Sequence, residues 1–156
     1  GLARVDPLEV FKEVVHEYNE HGKWGSETFE IMQPMPPIVA NGPVLHQVLA
    51  NLIGNALKFV QPGKPPRRRG RAEERGATVR LWVEDEGMGI SPDQFNNIFN
   101  PFVRLHGDAQ YPGTGMGLAI VQKGVERMQG QIGVESTPGN GSRFWVEFPL
   151  GRKPAS

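Results

Sequence analysis

The chain has 156 residues, 17 Lys and Arg against 17 Asp and Glu, and 38% hydrophobic residues, enough for one compact domain with its own core. A balanced charge excludes a general attraction to nucleic acid or membranes, and the absence of cysteine excludes disulfides and thiolate metal sites, in keeping with a reducing compartment. No apolar run is long enough to span a bilayer, and the first residues lack a signal-peptide pattern.

In chain order, residues 6–20 are predicted to form a helix. Asp6 can cap it, Pro7 suits the first turn, and Leu8, Phe11, Val14 or Val15 and Tyr18 recur at helical spacing. A short strand is expected over Thr28–Met32, then a proline-rich turn over Pro34–Pro37 and a strand stub at Ile38–Ala40. Asn41-Gly42-Pro43 signals the start of the next helix, predicted over 43–60. Leu45, Val48, Leu49, Leu52, Ile53, Ala56, Phe59 and Val60 cover one broad apolar face of it. Gln47, Asn51, Asn55 and Lys58 form a separate polar stripe. A solvated flank would explain Gln47. Asparagine weakens a helix interior unless it has a partner, so Asn51 and Asn55 ask for a further reason. An amide oxygen can ligate a hard cation, and a lysine on the same line can neutralise phosphate.

Residues 61–78 read as loop and hairpin. The run Arg67–Arg71 is short, is followed by Glu73 and Glu74 and has no interleaved aromatics, so it is read as an exposed strand, not a nucleic-acid patch. A turn near Glu74–Ala77 leads into the alternating strand Val79–Asp85. There Val79, Leu81, Val83 and Asp85 share one face, and Arg80, Trp82 and Glu84 the other. Asp85 thus follows three aliphatic side chains inward with no obvious partner, which is costly unless something binds it. Taken alone, a strand-end Asp that bends toward solvent fits as well. Gly87 and Gly89 behind it allow close approach of backbone or ligand.

Ser91-Pro92-Asp93-Gln94 opens a short helix. Residues 104–114 have no period of either kind and read as a lid, which closes in Gly113-Thr114-Gly115-Met116-Gly117 straight into another helix. Glycines opening a helix expose N–H groups and the positive dipole end to an anion. Leu118, Val121, Val125 and Met128 form the buried stripe of that helix, and Gly130 is expected to stop it. A hairpin follows, with strands Gln131–Glu135 and Ser142–Phe148 and a turn over Thr137–Gly141, and a frayed tail starts at Gly151. A cation ligand, a phosphate-neutralising charge, an acceptor in an apolar slot and an anion-binding helix end are what a magnesium–nucleotide needs. An ionised Asp accepts from an exocyclic amine, which favours adenine over guanine at that edge.

These residues fall into ordered segments: Asn51-Leu-Ile-Gly-Asn55-Ala-Leu-Lys58-Phe59, Asp85-Glu-Gly87-Met88-Gly89-Ile90, Phe99-Asn-Pro-Phe102 and Gly113-Thr114-Gly115-Met116-Gly117-Leu118. Together they resemble the ATP-binding catalytic domain of bacterial sensor histidine kinases, in the superfamily shared with gyrase, the MutL proteins and the ninety-kilodalton heat-shock chaperone. Gly139-Asn-Gly141-Ser142-Arg-Phe144 is similar to that family's closing strand motif. The resemblance covers residues 1–150, with 151–156 as a tail. It implies an α/β two-layer sandwich, with a mixed, mainly antiparallel sheet, three helices on one face and an ATP lid. By position it implies that Asn55 ligates Mg²⁺, Lys58 contacts phosphate and Asp85 accepts from the adenine amine. Gly87 and Gly89 would shape the pocket, and Gly113, Gly115 and Gly117 would hinge the lid and cradle the phosphates, with Arg104 reaching toward them.

Gyrase-like members carry a glutamate, the base that activates water, one turn before the metal-binding Asn. Here that place is Asn51, which cannot act as a general base at neutral pH. The resemblance therefore implies phosphoryl transfer to a histidine over water-directed hydrolysis. His16-Glu17 lacks the flanking Ser and the Arg-Thr-Pro of the family's acceptor motif, so the acceptor is expected on a separate dimerisation hairpin, with a response regulator downstream. His21, His46 and His106 have no metal-ligand spacing and are expected to be surface or packing residues. The isolated chain is expected to be a monomeric, cytoplasmic part of a larger sensor that binds Mg·ATP and turns over little. The alternatives are a catalytically silent nucleotide module and a self-contained ATPase.

Overall fold

In the computed structural model, residues 1–20, 29–58, 67–86, 117–136 and 141–151 are described. The expected helix after Ser91, the lid and the turn over 137–140 lie outside them. Two sheets and three helices make up the described fold. Strands β1 (Ala3–Val5) and β3 (Ile38–Ala40) pair antiparallel as a small ribbon. The main sheet has the order β2-β4-β5-β7-β6, from Glu30–Ile31, Arg68–Arg75, Thr78–Asp85, Ser142–Pro149 and Gln131–Ser136. Among the described strands only β2 runs parallel to its neighbour, so the sheet is mixed and mainly antiparallel.

Helices α1 (Pro7–Glu20), α2 (Gly42–Lys58) and α3 (Gly117–Arg127) pack on the inner face of the sheet. Both predicted caps form: the N–H of Leu8 donates to Asp6 Oδ1 at 3.1 Å, and that of Val44 to Asn41 Oδ1 at 3.0 Å. The apolar stripe of α2 sits in the core as its periodicity requires, with Leu45, Leu49 and Ile53 fully buried against Leu81, Val146 and Phe148 of the sheet. Each such side chain contributes about 1.5–3 kcal/mol of burial. Helices α1 and α2 meet at Gly54. A Cβ there would lie 2.3 Å from Tyr18 Oη, which instead donates to the Ala50 carbonyl at 2.8 Å. Burial pushes the Tyr18 phenol above its ordinary pKa, with the Glu17 charge adding to the effect.

The end of α3 corrects one expectation. The left-handed residue is Gln129 (φ 59°), not Gly130. Gly130 N–H donates to the Val125 carbonyl at 3.0 Å and Gln129 N–H to the Glu126 carbonyl at 3.0 Å, which is a Schellman ending with Gln129 at C′. Gly130 is needed one place later, where a Cβ would sit 2.7 Å from the Phe148 ring and 2.8 Å from the Glu147 carbonyl oxygen.

The outer face of the sheet is a lattice of charges and indoles. One cross-strand row runs Arg69–Glu84–Arg143–Glu135, the next Arg71–Trp82–Trp145 and the third Glu73–Arg80–Glu147. Arg69 Nε donates to Glu84 Oε1 at 2.8 Å, Arg71 Nε to the same oxygen at 2.9 Å, and Arg80 Nε to Glu147 Oε1 at 2.8 Å. The Arg80 guanidinium lies 3.6 Å above the Trp145 ring, and Arg71, Arg80 and Arg143 surround Trp82, whose Nε1 donates to Glu73. Trp82 and Glu84 are thereby buried on the face turned away from the helices. Burial would raise the Glu84 carboxyl, but the hydrogen bonds and charges of Arg71 and Arg69 outweigh it and hold the group below its ordinary pKa. Arg69 and Arg71 are thus spent within the fold, as a paired strand face requires. Arg68, next to Arg69 in sequence, turns inward and is buried, which corrects the reading of Arg67–Arg71 as an exposed strand throughout.

Candidate functional site

Four strands bring one polar row, Arg68–Asp85–Ser142–Ser136, to the inner face at the end of the sheet. The register sets Arg68 of β4 opposite Asp85 of β5, and Asp85 opposite Ser142 of β7. The neighbouring rows on this face are apolar or glycine, as in Gly70, Val83 and Phe144, up to Glu74 at the far, exposed end of β4. Asp85 is therefore placed inward as its period-two position demands, at the edge of the core. It has a partner that the sequence did not disclose: Ser142 Oγ donates to Asp85 Oδ2 at 2.9 Å. Beyond it the ladder continues by one bond, from the Glu86 N–H to the Arg67 carbonyl at 3.0 Å.

Gly141, just before Ser142, is held at φ 83° and lies so close to β5 that a Cβ would stand 2.0 Å from the Asp85 carbonyl oxygen. Any other residue would strain the backbone and push β7 from the Asp85–Glu86 peptide. The glycine and serine of this segment thus act as a unit, one giving the close approach and the other the hydrogen bond. Ser136 Oγ secures the arrangement from β6 by donating to the Gly141 carbonyl at 2.8 Å.

Helix α2 packs against β5 and supplies the second set of groups. Asn51 and Asn55 lie one turn apart and are half-buried, and Gln47 is exposed. The two asparagines differ. Asn51 Nδ2 donates back to the Gln47 carbonyl at 2.8 Å, so its amide is tied to its own helix. Among the described residues the Asn55 side chain makes no hydrogen bond, which leaves its amide oxygen available to a ligand. Lys58 is the last residue of α2, and Gly117 and Leu118 open α3, which packs beside α2 with Gly124 against Val48. The backbone thus delivers the expected order, with an asparagine helix, an inward Asp at a strand end and a helix starting at Gly117. Phe59, Gly87, Met88, Gly89, Ile90, Phe99, Phe102, Arg104, Gly113, Thr114, Gly115 and Met116 lie outside the described residues.

Two members of the site carried no assigned role in the sequence reading. Ser142 stood inside a recognised segment, and Arg68 was taken for one residue of a basic run. A signal for Arg68 existed. Counting back from a turn at Gly76–Ala77 pairs Arg75 with Thr78 and hence Arg68 with Asp85. Arg68 Nε donates to the Ala56 carbonyl of α2. Burial lowers the pKa of the guanidinium, and the charge of Asp85 acts to raise it.

A magnesium ion fits the donor set of this site. It keeps several waters and is held by one or two protein oxygens with substrate phosphates, so an amide such as Asn55 suffices from the protein. Among the described residues no group of three His, Asp or Glu side chains forms a metal cage. His46, bonded to Glu17 at 2.8 Å, and the exposed His16, bonded to Glu20 at 2.9 Å, lie in surface pairs. None of the described helices is long and apolar enough to cross a membrane.

Residues 40–152 match the family described as histidine kinase-, DNA gyrase B-, and HSP90-like ATPase. The chain is 44% identical over 117 residues to the phytochrome-like protein Cph1 of Synechocystis, a match covering 75% of this chain and 16% of that protein. It is 47% identical over 111 residues to the sensor histidine kinase AruS of Pseudomonas aeruginosa, covering 68% and 11% respectively. The chain therefore spans a sixth or less of the curated relatives it matches. In structure it is similar to full-length ShkA in complex with AMPPNP, with a TM-score of 0.78 and 34% identity over 99% of this chain and 32% of that one.

Proposed function

The chain belongs to the histidine kinase-, DNA gyrase B- and HSP90-like ATPase family, and on that premise we propose that it positions Mg·ATP for γ-phosphoryl transfer to a histidine on a separate dimerisation domain. The observation that carries the reading is the inward carboxylate of Asp85, oriented by Ser142 at the sheet end that α2 packs against. A carboxylate accepts hydrogen bonds only, so it pairs with an exocyclic amine and repels a purine carbonyl at that edge. Asp85 would thus read adenine.

Asn55 would give its amide oxygen to Mg²⁺, whose chemistry when bound is to neutralise the charge on the phosphate oxygens. Lys58, one helical turn on, would add a point charge for phosphate. The start of α3 at Gly117 would present backbone N–H groups to the same phosphates, with the lid glycines before it closing over them. Transfer by such a site rests on holding the phosphoryl group in line with its acceptor and stabilising spread charge, with little covalent work for the protein.

The acceptor is a histidine in place of water because Asn51 stands where a water-activating base would be needed. Its amide takes up no proton near neutral pH and is bonded back to Gln47. The partners are then the dimerisation and phosphoacceptor domain of the same protein and a response regulator, in a cytoplasmic setting where ATP is present. Relatives named as sensor histidine kinases support this assignment.

The test mixes the purified chain with γ-labelled ATP, Mg²⁺ and a separately produced acceptor hairpin. Label should appear on the hairpin in an acid-labile, base-stable linkage, and the chain alone should release little phosphate. Tight ATP binding without transfer would return the chain to a silent nucleotide module. Steady phosphate release by the chain alone would make it an ATPase.

A further inference from the structure

Arg68 occupies a position where the packing argues against an arginine. It is 6% exposed, on the face of β4 that continues with Gly70, Ala72 and, at the exposed far end, Glu74, and both sequence neighbours, Arg67 and Arg69, are exposed. A buried guanidinium costs several kcal/mol unless negative groups surround it. Two such groups are in place. The first is the Ala56 carbonyl, which accepts from Arg68 Nε. This carbonyl lies in the last described turn of α2, toward the negative end of the helix dipole. The second is Asp85, the cross-strand partner on the same face, whose charge acts on the guanidinium.

We propose that Arg68 is a positioning residue for the carboxylate of Asp85, clamping the base-reading end of the sheet to the C-terminal end of α2. The inference rests on the nucleotide reading above and adds a member to the site. Ala56 adjoins Asn55, so one side chain joins the helix that would hold the cation to the strand that would read the base. Ser142 holds Asp85 from the β7 side, and Arg68 supplies a positive field from the β4 side. The carboxylate is aimed before a ligand arrives, so less is lost on ordering it when the base binds.

The experiment measures ATP, GTP and magnesium tripolyphosphate affinities by calorimetry on the whole chain, as wild type, Arg68→Met and Asp85→Asn. Arg68→Met should weaken ATP by about 10-fold, the size of one misplaced charged hydrogen bond. Tripolyphosphate and GTP should stay within about twofold, so the adenine preference narrows while the phosphate site persists. Equal losses for ATP and tripolyphosphate, or an unchanged adenine preference in a folded Arg68→Met protein, would overturn the proposal. Should Arg68→Met not fold, Arg68→Gln keeps an N–H for the Ala56 carbonyl, removes only the charge and is read by the same criteria. A Gln variant that also fails to fold would make Arg68 a purely structural residue and overturn it too. The nucleotide reading itself fails on different results, namely no ATP binding by the wild type or no effect of Asp85→Asn.

Discussion

Glu84 offers a test of how the outer sheet face is held. Its side chain is 7% exposed and accepts from Arg69 at 2.8 Å and from Arg71 at 2.9 and 3.3 Å, with Arg143 at 3.8 Å. Glu84→Gln keeps the shape and one acceptor oxygen but removes the charge that three guanidinium groups share. A hydrogen bond to a charged group contributes about 1.5–3 kcal/mol. Arg69 is half exposed and can turn to water, which reduces its share, whereas Arg71 is held over Trp82 and stays. The expected loss at pH 7 is about 2 kcal/mol, or roughly 4–8 °C in the midpoint of a domain of this size. The pH dependence has a definite sign. The folded pKa of Glu84 is depressed, so its contribution is present above the ordinary carboxylate value and lost as pH falls through the lower folded value. Urea unfolding of wild type and Glu84→Gln should therefore differ at pH 7 and converge at an acid pH below the folded value. A penalty of the same size at both pH values would refute the electrostatic account and leave only a packing defect.

Three further outcomes follow from local geometry. Gly54→Ala puts a Cβ 2.3 Å from Tyr18 Oη, so it should cost about 1–3 kcal/mol in chemical denaturation and lose most of that cost in a Tyr18→Ala background; an equal cost in both would mean α1 is not what limits Gly54. Gln129→Gly should raise stability by about 0.5–1 kcal/mol, since Gln129 holds the left-handed conformation that glycine adopts freely; a lower thermal midpoint would mean the Gln side chain is needed. Asn55→Ala should abolish the magnesium dependence of nucleotide binding in calorimetry while the fold persists, and near-normal magnesium-dependent affinity would put the cation elsewhere.

Much of the fold follows from short-range pattern. The helix caps at Asp6 and Asn41, the apolar stripe of α2, the strand stub at Ile38–Ala40 and the inward parity of Asp85 each depend on a few neighbouring residues, and each is present. The helix stop was located to within one residue but assigned to the wrong one, because propensity favours glycine at a left-handed position and the Phe148 ring claims Gly130 for another purpose.

The sequence by itself determined the class of fold, because periodicity, caps and the ordered segments that carry the family resemblance are written in adjacent residues. It also determined that Asn51 offers no base for activating water. Only the tertiary structure decided who stands beside whom across strands. Arg67, Arg68 and Arg69 are alike as letters, yet the register turns one into the core against Asp85 and the Ala56 carbonyl, and ties Arg69 to Glu84. Ser142 bonds Asp85 for the same reason, a pairing 57 residues apart in the chain. Side-chain direction in a sheet has a period of two, so such partners are set by register, and register is set by the turn and by the core face that must be buried.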